Sequence, residues 1–66
     1  MRIKEMRMER GESQRAVSLG TGLTENTLFG LENGTLNNPT KKTLEALADY
    51  YNVSVDYILG REEVTG

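Results

Sequence analysis

Cysteine and histidine are both absent from this 66-residue chain. Without cysteine there is no disulfide framework and no thiolate metal site, and without histidine the usual neutral-pH acid, base and zinc ligand is missing. Asp49, Asp56 and the glutamates show no pairing around a nucleophile, so no catalysis, metal, cofactor or small-molecule ligand is expected. No apolar run approaches the roughly 20 residues of a membrane span, and no signal-peptide pattern is present, so the expected location is cytoplasmic, with no membrane partner. A dominant charge is lacking too. Eight Lys and Arg stand against ten Asp and Glu, a net charge of −2, which argues against a nonspecific nucleic-acid coat.

What charge there is lies unevenly. The first ten residues carry Arg2, Lys4, Arg7 and Arg10 against Glu5 and Glu9, while Glu45, Asp49, Asp56, Glu62 and Glu63 weight the later part acidic. A chain of this size fits one domain, with a core that buries only about 60% of the surface exposed by the unfolded chain. Dimerisation would relieve that shortage.

Start and stop signals divide the chain into five short helices and leave no strand-like alternation. The first spans about Arg2 to Arg10, with Ile3 and Met6 inward and Gly11 as its stop. Ser13 caps a second helix through about Gly20, with Val17 and Thr21 inward and Leu19 outward. Thr21-Gly22-Leu23 connects it to a third helix, Thr24 to Asn33, where Thr24 is the N-cap, Glu25 complements the positive helix end and Gly34 closes the helix. Turning each position by about 100° sets Leu28 and Leu31 inward and Asn26, Phe29 and Gly30 outward, with Glu25 and Thr27 on the flanks. Pro39-Thr40 opens a fourth helix carrying Leu44, Leu47, Ala48 and Tyr51, and Asn52 ends it. Ser54 caps a fifth, where Ile58 and Leu59 close the core before Gly60. Leu28, Leu31, Leu44, Leu47, Val53 and Leu59 are the expected core. Residues 1–60 thus form one domain, and 61–66 read as a flexible tail.

Ser13-Gln14, the turn Thr21-Gly22-Leu23-Thr24, the run Leu28-x-x-Leu31-Glu32-Asn33-Gly34 and Asn52-Val53-Ser54-Val55-Asp56-Tyr57-Ile58-Leu59-Gly60 fall in one order and spacing. Together they resemble the phage repressor and Cro family of helix-turn-helix transcriptional regulators, from Arg2 to Gly60. The resemblance implies an all-α, five-helix, lambda-repressor-like DNA-binding domain with its third helix in the major groove. By position it implies base reading by Glu25, Asn26, Thr27 and Gly30, contacts from Ser13 and Gln14, and a backbone contact from Asn33. It also implies an ion pair between Arg7 and Glu32, and homodimers on palindromic double-stranded DNA operators, in a phage or mobile-element setting.

Side-chain chemistry supports part of this independently. Asparagine can pair with adenine N6 and N7, glutamate can accept from cytosine N4, and Thr27 and Phe29 can pack on a thymine methyl. Gln14, beside free amides at a helix start, suits a phosphate oxygen. Lys41 and Lys42 sit in a first helical turn, where a cation opposes the helix dipole and a nearby phosphate would remove the conflict. The expected dimer surface is the last helix and its approach, with Tyr50 and Tyr57. The third helix carries no arginine or lysine, and Leu19 and Phe29 point outward. The alternative expectation is therefore a helix-turn-helix fold whose exposed Leu19 and Phe29 bind another protein.

Overall fold

A computed structural model describes residues 1–61. Its helices are α1 (Ile3–Glu9), α2 (Gln14–Thr21), α3 (Glu25–Asn33), α4 (Lys41–Tyr51) and α5 (Val55–Leu59), and there is no strand among the described residues. The expected tail falls mostly on 62–66, outside the described residues. Arg61 is still tied back, its N–H donating to the Asp56 carbonyl at 2.9 Å.

Four helices start on a hydroxyl that accepts an amide three residues on: Ser13 from Ala16, Thr24 from Thr27, Thr40 from Thr43 and Ser54 from Tyr57. Each satisfies one of the amides that a helix start leaves without a carbonyl partner. The first helix lacks such a cap. Its start is held instead by the Arg2 N–H, which donates to the Ile58 carbonyl at 2.8 Å and so sews α1 to α5. Asn52 ends α4 in the left-handed region at φ 57°, a conformation asparagine tolerates better than most side chains.

The core is Ile3 and Met6 of α1, Val17 of α2, Leu28 and Leu31 of α3, Leu47, Ala48 and Tyr51 of α4, and Ile58 of α5. Leu23, Leu44, Tyr50, Val53, Val55 and Tyr57 pack around it, half-buried. Leu59 is half-buried and stands outside this cluster: neighbouring residues of a helix point about 100° apart, so Ile58 and Leu59 cannot both face one small core. Thr21 is also half-buried, its hydroxyl donating to the Val17 carbonyl at 2.7 Å.

Candidate nucleic-acid interface

The second and third helices meet through a short turn held by polar side chains. Gly22 adopts φ 80°, which costs a residue without Cβ almost nothing and reverses the chain at once. The Thr21 hydroxyl accepts the Leu23 N–H at 3.2 Å, and the Ser18 hydroxyl donates to the Leu23 carbonyl. Thr24 then caps α3, accepting the Thr27 N–H at 3.1 Å and donating to the Thr27 hydroxyl at 2.9 Å. The angle between the two helices is thus fixed by side chains of the turn itself.

A polar node fixes α3 from its other end. The Arg7 Nε and Nη2 donate to the two Glu32 oxygens at 2.8 and 2.9 Å, and Nη1 donates to the Glu12 carbonyl at 2.8 Å. Gln14 Nε2 donates to Glu32 Oε1 at 3.3 Å. The side chains of Arg7 and Glu32 are 16% and 6% exposed. Their fork-to-fork geometry joins α1, α2 and α3 at one carboxylate. Arg7's hydrogen bonds hold the Glu32 carboxyl below the usual carboxylate range against the opposing effect of burial, with Gln14 assisting. Arg7 is raised in turn, chiefly by the same hydrogen bonds.

Between these two anchors α3 exposes Glu25, Asn26 and Phe29, the last 58% exposed. Thr27 is half-buried, with its hydroxyl engaged by Thr24. Gly30 corrects the sequence reading. Expected on the outward face as a base-reading position, it is buried. A Cβ there would lie 3.0 Å from Leu36 Cβ and 3.4 Å from Thr35 Oγ1, and the Leu36 N–H donates to the Gly30 carbonyl at 3.0 Å. Gly30 does permit a close backbone approach, but the approaching chain is the protein's own loop.

The positions expected at phosphates differ in exposure and in how far their polar atoms are already engaged. Ser13 is exposed and uses its oxygen as the α2 cap. Gln14 is half-buried and turned toward Glu32, so one amide hydrogen is committed inside the protein. Asn33 Oδ1 accepts from the Thr35 N–H at 2.9 Å and from its hydroxyl at 2.7 Å, a local turn that leaves the amide hydrogens of Asn33 unused by that turn. Lys41 and Lys42 are exposed, and the Arg7–Glu32 contact is the ion pair found among the described residues.

One cluster escaped the sequence reading. The Tyr50 ring lies over Gly20, where a Cβ would be 2.2 Å from Tyr50 Cε1. Its hydroxyl donates to Glu12 Oε2, and the ring meets Tyr51 edge-on at 4.9 Å. Tyr50 is raised by its bond to Glu12, and burial pushes Tyr51 up to about 12. Tyr57 is half-buried beneath Arg2, whose guanidinium carbon is 5.1 Å from the ring centroid. Both tyrosines expected at a dimer surface are thus engaged within the chain. The available signal was Gly20 inside a helix, since glycine there marks a close approach by a neighbour.

The sequence profile of the helix-turn-helix family matches residues 3–58. The chain belongs to that family. Its kind is the phage repressor and Cro branch, and in this helix-turn-helix protein the paired helices are α2 and α3. The chain is 36% identical over 64 residues to the HTH-type transcriptional regulator ImmR of Bacillus subtilis (strain 168), covering 97% of this chain and 50% of that protein. It is 34% identical over 62 residues to the cryptic phage CTXphi transcriptional repressor RstR of Vibrio cholerae, covering 94% of this chain and 55% of that protein. The chain therefore spans about half the length of these curated relatives. No solved structure matches the chain.

Proposed function

We propose that this chain is a sequence-specific DNA-binding transcriptional repressor, acting in the cytoplasm in a phage or mobile-element setting. It binds a palindromic operator as a homodimer, with each α3 in a major groove and the two helices about one DNA turn apart. The observation that carries the reading is the anchoring of α3 at both ends, by the Ser18 and Thr21 bonds to Leu23 in the turn before it and by the Arg7–Glu32–Gln14 node, with Glu25, Asn26 and Phe29 left exposed between. The names of the relatives, a transcriptional regulator and a transcriptional repressor, point the same way. Asn26 is the principal base reader, with Glu25, Thr27 and Phe29 in support. Ser13, Gln14, Asn33, Lys41 and Lys42 take phosphates. No catalysis, cofactor or small-molecule ligand enters this function.

The test is a selection of bound sequences from a random duplex pool at modest salt, repeated at several salt concentrations. A palindrome with half-sites about one turn apart supports the reading. Replacing Asn26 by alanine should then cost about 1–3 kcal/mol at the cognate site and relax one base position. Equal binding of cognate and mismatched sites by parent and variant would refute the assignment. The exposure of Leu19, at 77%, and of Phe29 favours a second reading: the same fold binding another protein through these apolar side chains. Failure to enrich any sequence, even at low salt, would turn the conclusion to that reading.

A further inference from the structure

The outward face of α3 has an uneven chemical character. Glu25, Asn26 and Phe29 are exposed on it, and no lysine or arginine occurs from Glu25 to Asn33. Glu25 and Phe29 are four residues apart and Asn26 and Phe29 three, so on a helix the three side chains form one patch with Cβ atoms about 5–6 Å apart. The patch offers a carboxylate that only accepts hydrogen bonds, a carboxamide that both accepts and donates, and an aromatic ring.

Each base edge in the major groove answers this patch differently. Guanine presents two acceptors, N7 and O6, which repel a carboxylate and are normally taken by arginine or lysine. Cytosine presents the N4 donor, adenine an N6 donor beside the N7 acceptor, and thymine a C5-methyl group. Glu25 matches an amino donor, Asn26 matches the adenine pair and Phe29 matches a methyl. The buried Gly30 and the internally bonded Thr27 hydroxyl add no opposing chemistry.

Resting on the DNA reading proposed above, we infer that each half-site presents amino donors and C5-methyl groups to α3, with no guanine N7–O6 pair read by it. Within that site Phe29 reads the C5-methyl of a thymine, and Glu25 selects a cytosine.

The test uses the duplex selected by the parent protein, remade with deoxyuridine in place of each thymine in turn, which deletes only the methyl. At a thymine under α3 the parent should lose about fourfold in affinity, the transfer contribution of one methyl group. Phe29→Ala should bind the thymine and deoxyuridine duplexes equally. A fresh selection with Glu25→Gln should change one position from cytosine to adenine and leave the others as they were, because a carboxamide pairs with adenine N6 and N7. Both side chains are exposed, and unchanged helical circular dichroism verifies that the variants fold. Two results overturn the inference while leaving DNA binding intact: equal deoxyuridine sensitivity in the parent and Phe29→Ala, or a selected site at which 7-deazaguanine in place of guanine weakens the parent's binding through α3. Absence of any enriched sequence overturns the DNA reading itself.

Discussion

Removing the Glu32 carboxylate should be among the most damaging single changes available to this protein. In Glu32→Ala, Arg7 loses two charge-assisted bonds of 2.8 and 2.9 Å and keeps only the Glu12 carbonyl. Gln14 loses its acceptor as well. Breaking a fully buried pair costs about 3–5 kcal/mol because the remaining charge is stranded. Arg7 is 16% exposed, so water reaches part of the guanidinium and the expected loss falls to about 2–4 kcal/mol. A domain of this size holds on the order of 3–10 kcal/mol in total, so most of its stability is at stake, and the midpoint of thermal unfolding should fall by roughly 10–25 °C. Urea and thermal denaturation followed by circular dichroism measure both quantities. A double replacement, Arg7→Met with Glu32→Leu, should recover much of the loss, since neither charge is then left unpaired.

The same pair has a defined pH dependence. The folded Glu32 pKa is lowered, so its contribution is present above the ordinary carboxylate value and is lost as pH falls through the folded one. The Arg7 pKa is raised by the same bonds, so Arg7 stays protonated across the acidic and neutral range and the titration of Glu32 alone sets the pH dependence. The stability difference between the parent and Glu32→Gln should therefore shrink as pH falls below the ordinary carboxylate value of about 4.3. A difference below about 1 kcal/mol at neutral pH, the level of an ordinary surface pair, would refute the reasoning. So would a difference that stays constant through the acid range.

Gly20→Ala should destabilise by about 1–3 kcal/mol, because the added Cβ would lie 2.2 Å from Tyr50 Cε1 and force the ring away from Glu12 and Tyr51; a gain in urea denaturation, as helix propensity alone would give, would contradict this. Thr24→Ala should cost about 1 kcal/mol and speed amide exchange in the first turn of α3, where its oxygen accepts the Thr27 N–H. Gly30→Ala should accelerate exchange of the Leu36 amide, since a Cβ 3.0 Å from Leu36 Cβ must lift the loop whose N–H donates to the Gly30 carbonyl. Unchanged Leu36 exchange would show that the loop yields without opening.

The elements of this fold were legible because their signals are local. Ser13, Thr24 and Ser54 stand where an N-cap must stand, and the hydroxyl of each accepts the expected amide. The inward stripes of α1 and α3 follow from helical spacing alone, and Ile3, Met6, Leu28 and Leu31 are buried. The misplaced residues are those whose environment comes from elsewhere in the chain. A helical wheel for α3 contains only α3, so it exposed Gly30, which is covered by the loop that follows. Glu12 and Tyr50 are 38 residues apart, with no periodicity to relate them. Arg7 and Glu32, 25 apart, could be paired beforehand only by resemblance to a family.

The long-range contact at Glu32 bears on the reading face as well as on the stability of the fold. A recognition helix with arginines gains affinity from phosphates and guanines over a range of orientations, because Coulomb attraction falls off slowly. Here α3 carries no cation, and hydrogen bonds from a carboxylate or carboxamide weaken steeply with misalignment. In the proposed DNA reading, affinity thus depends on α3 arriving already oriented, so that little ordering is left to occur on binding. Leu28 and Leu31, both buried, fix its depth against the core. The Ser18 and Thr21 bonds to Leu23 in the turn and the fork at Glu32 restrain its two ends. Their placement at opposite ends of a nine-residue helix gives the polar node its leverage, and a small core gives it little competition.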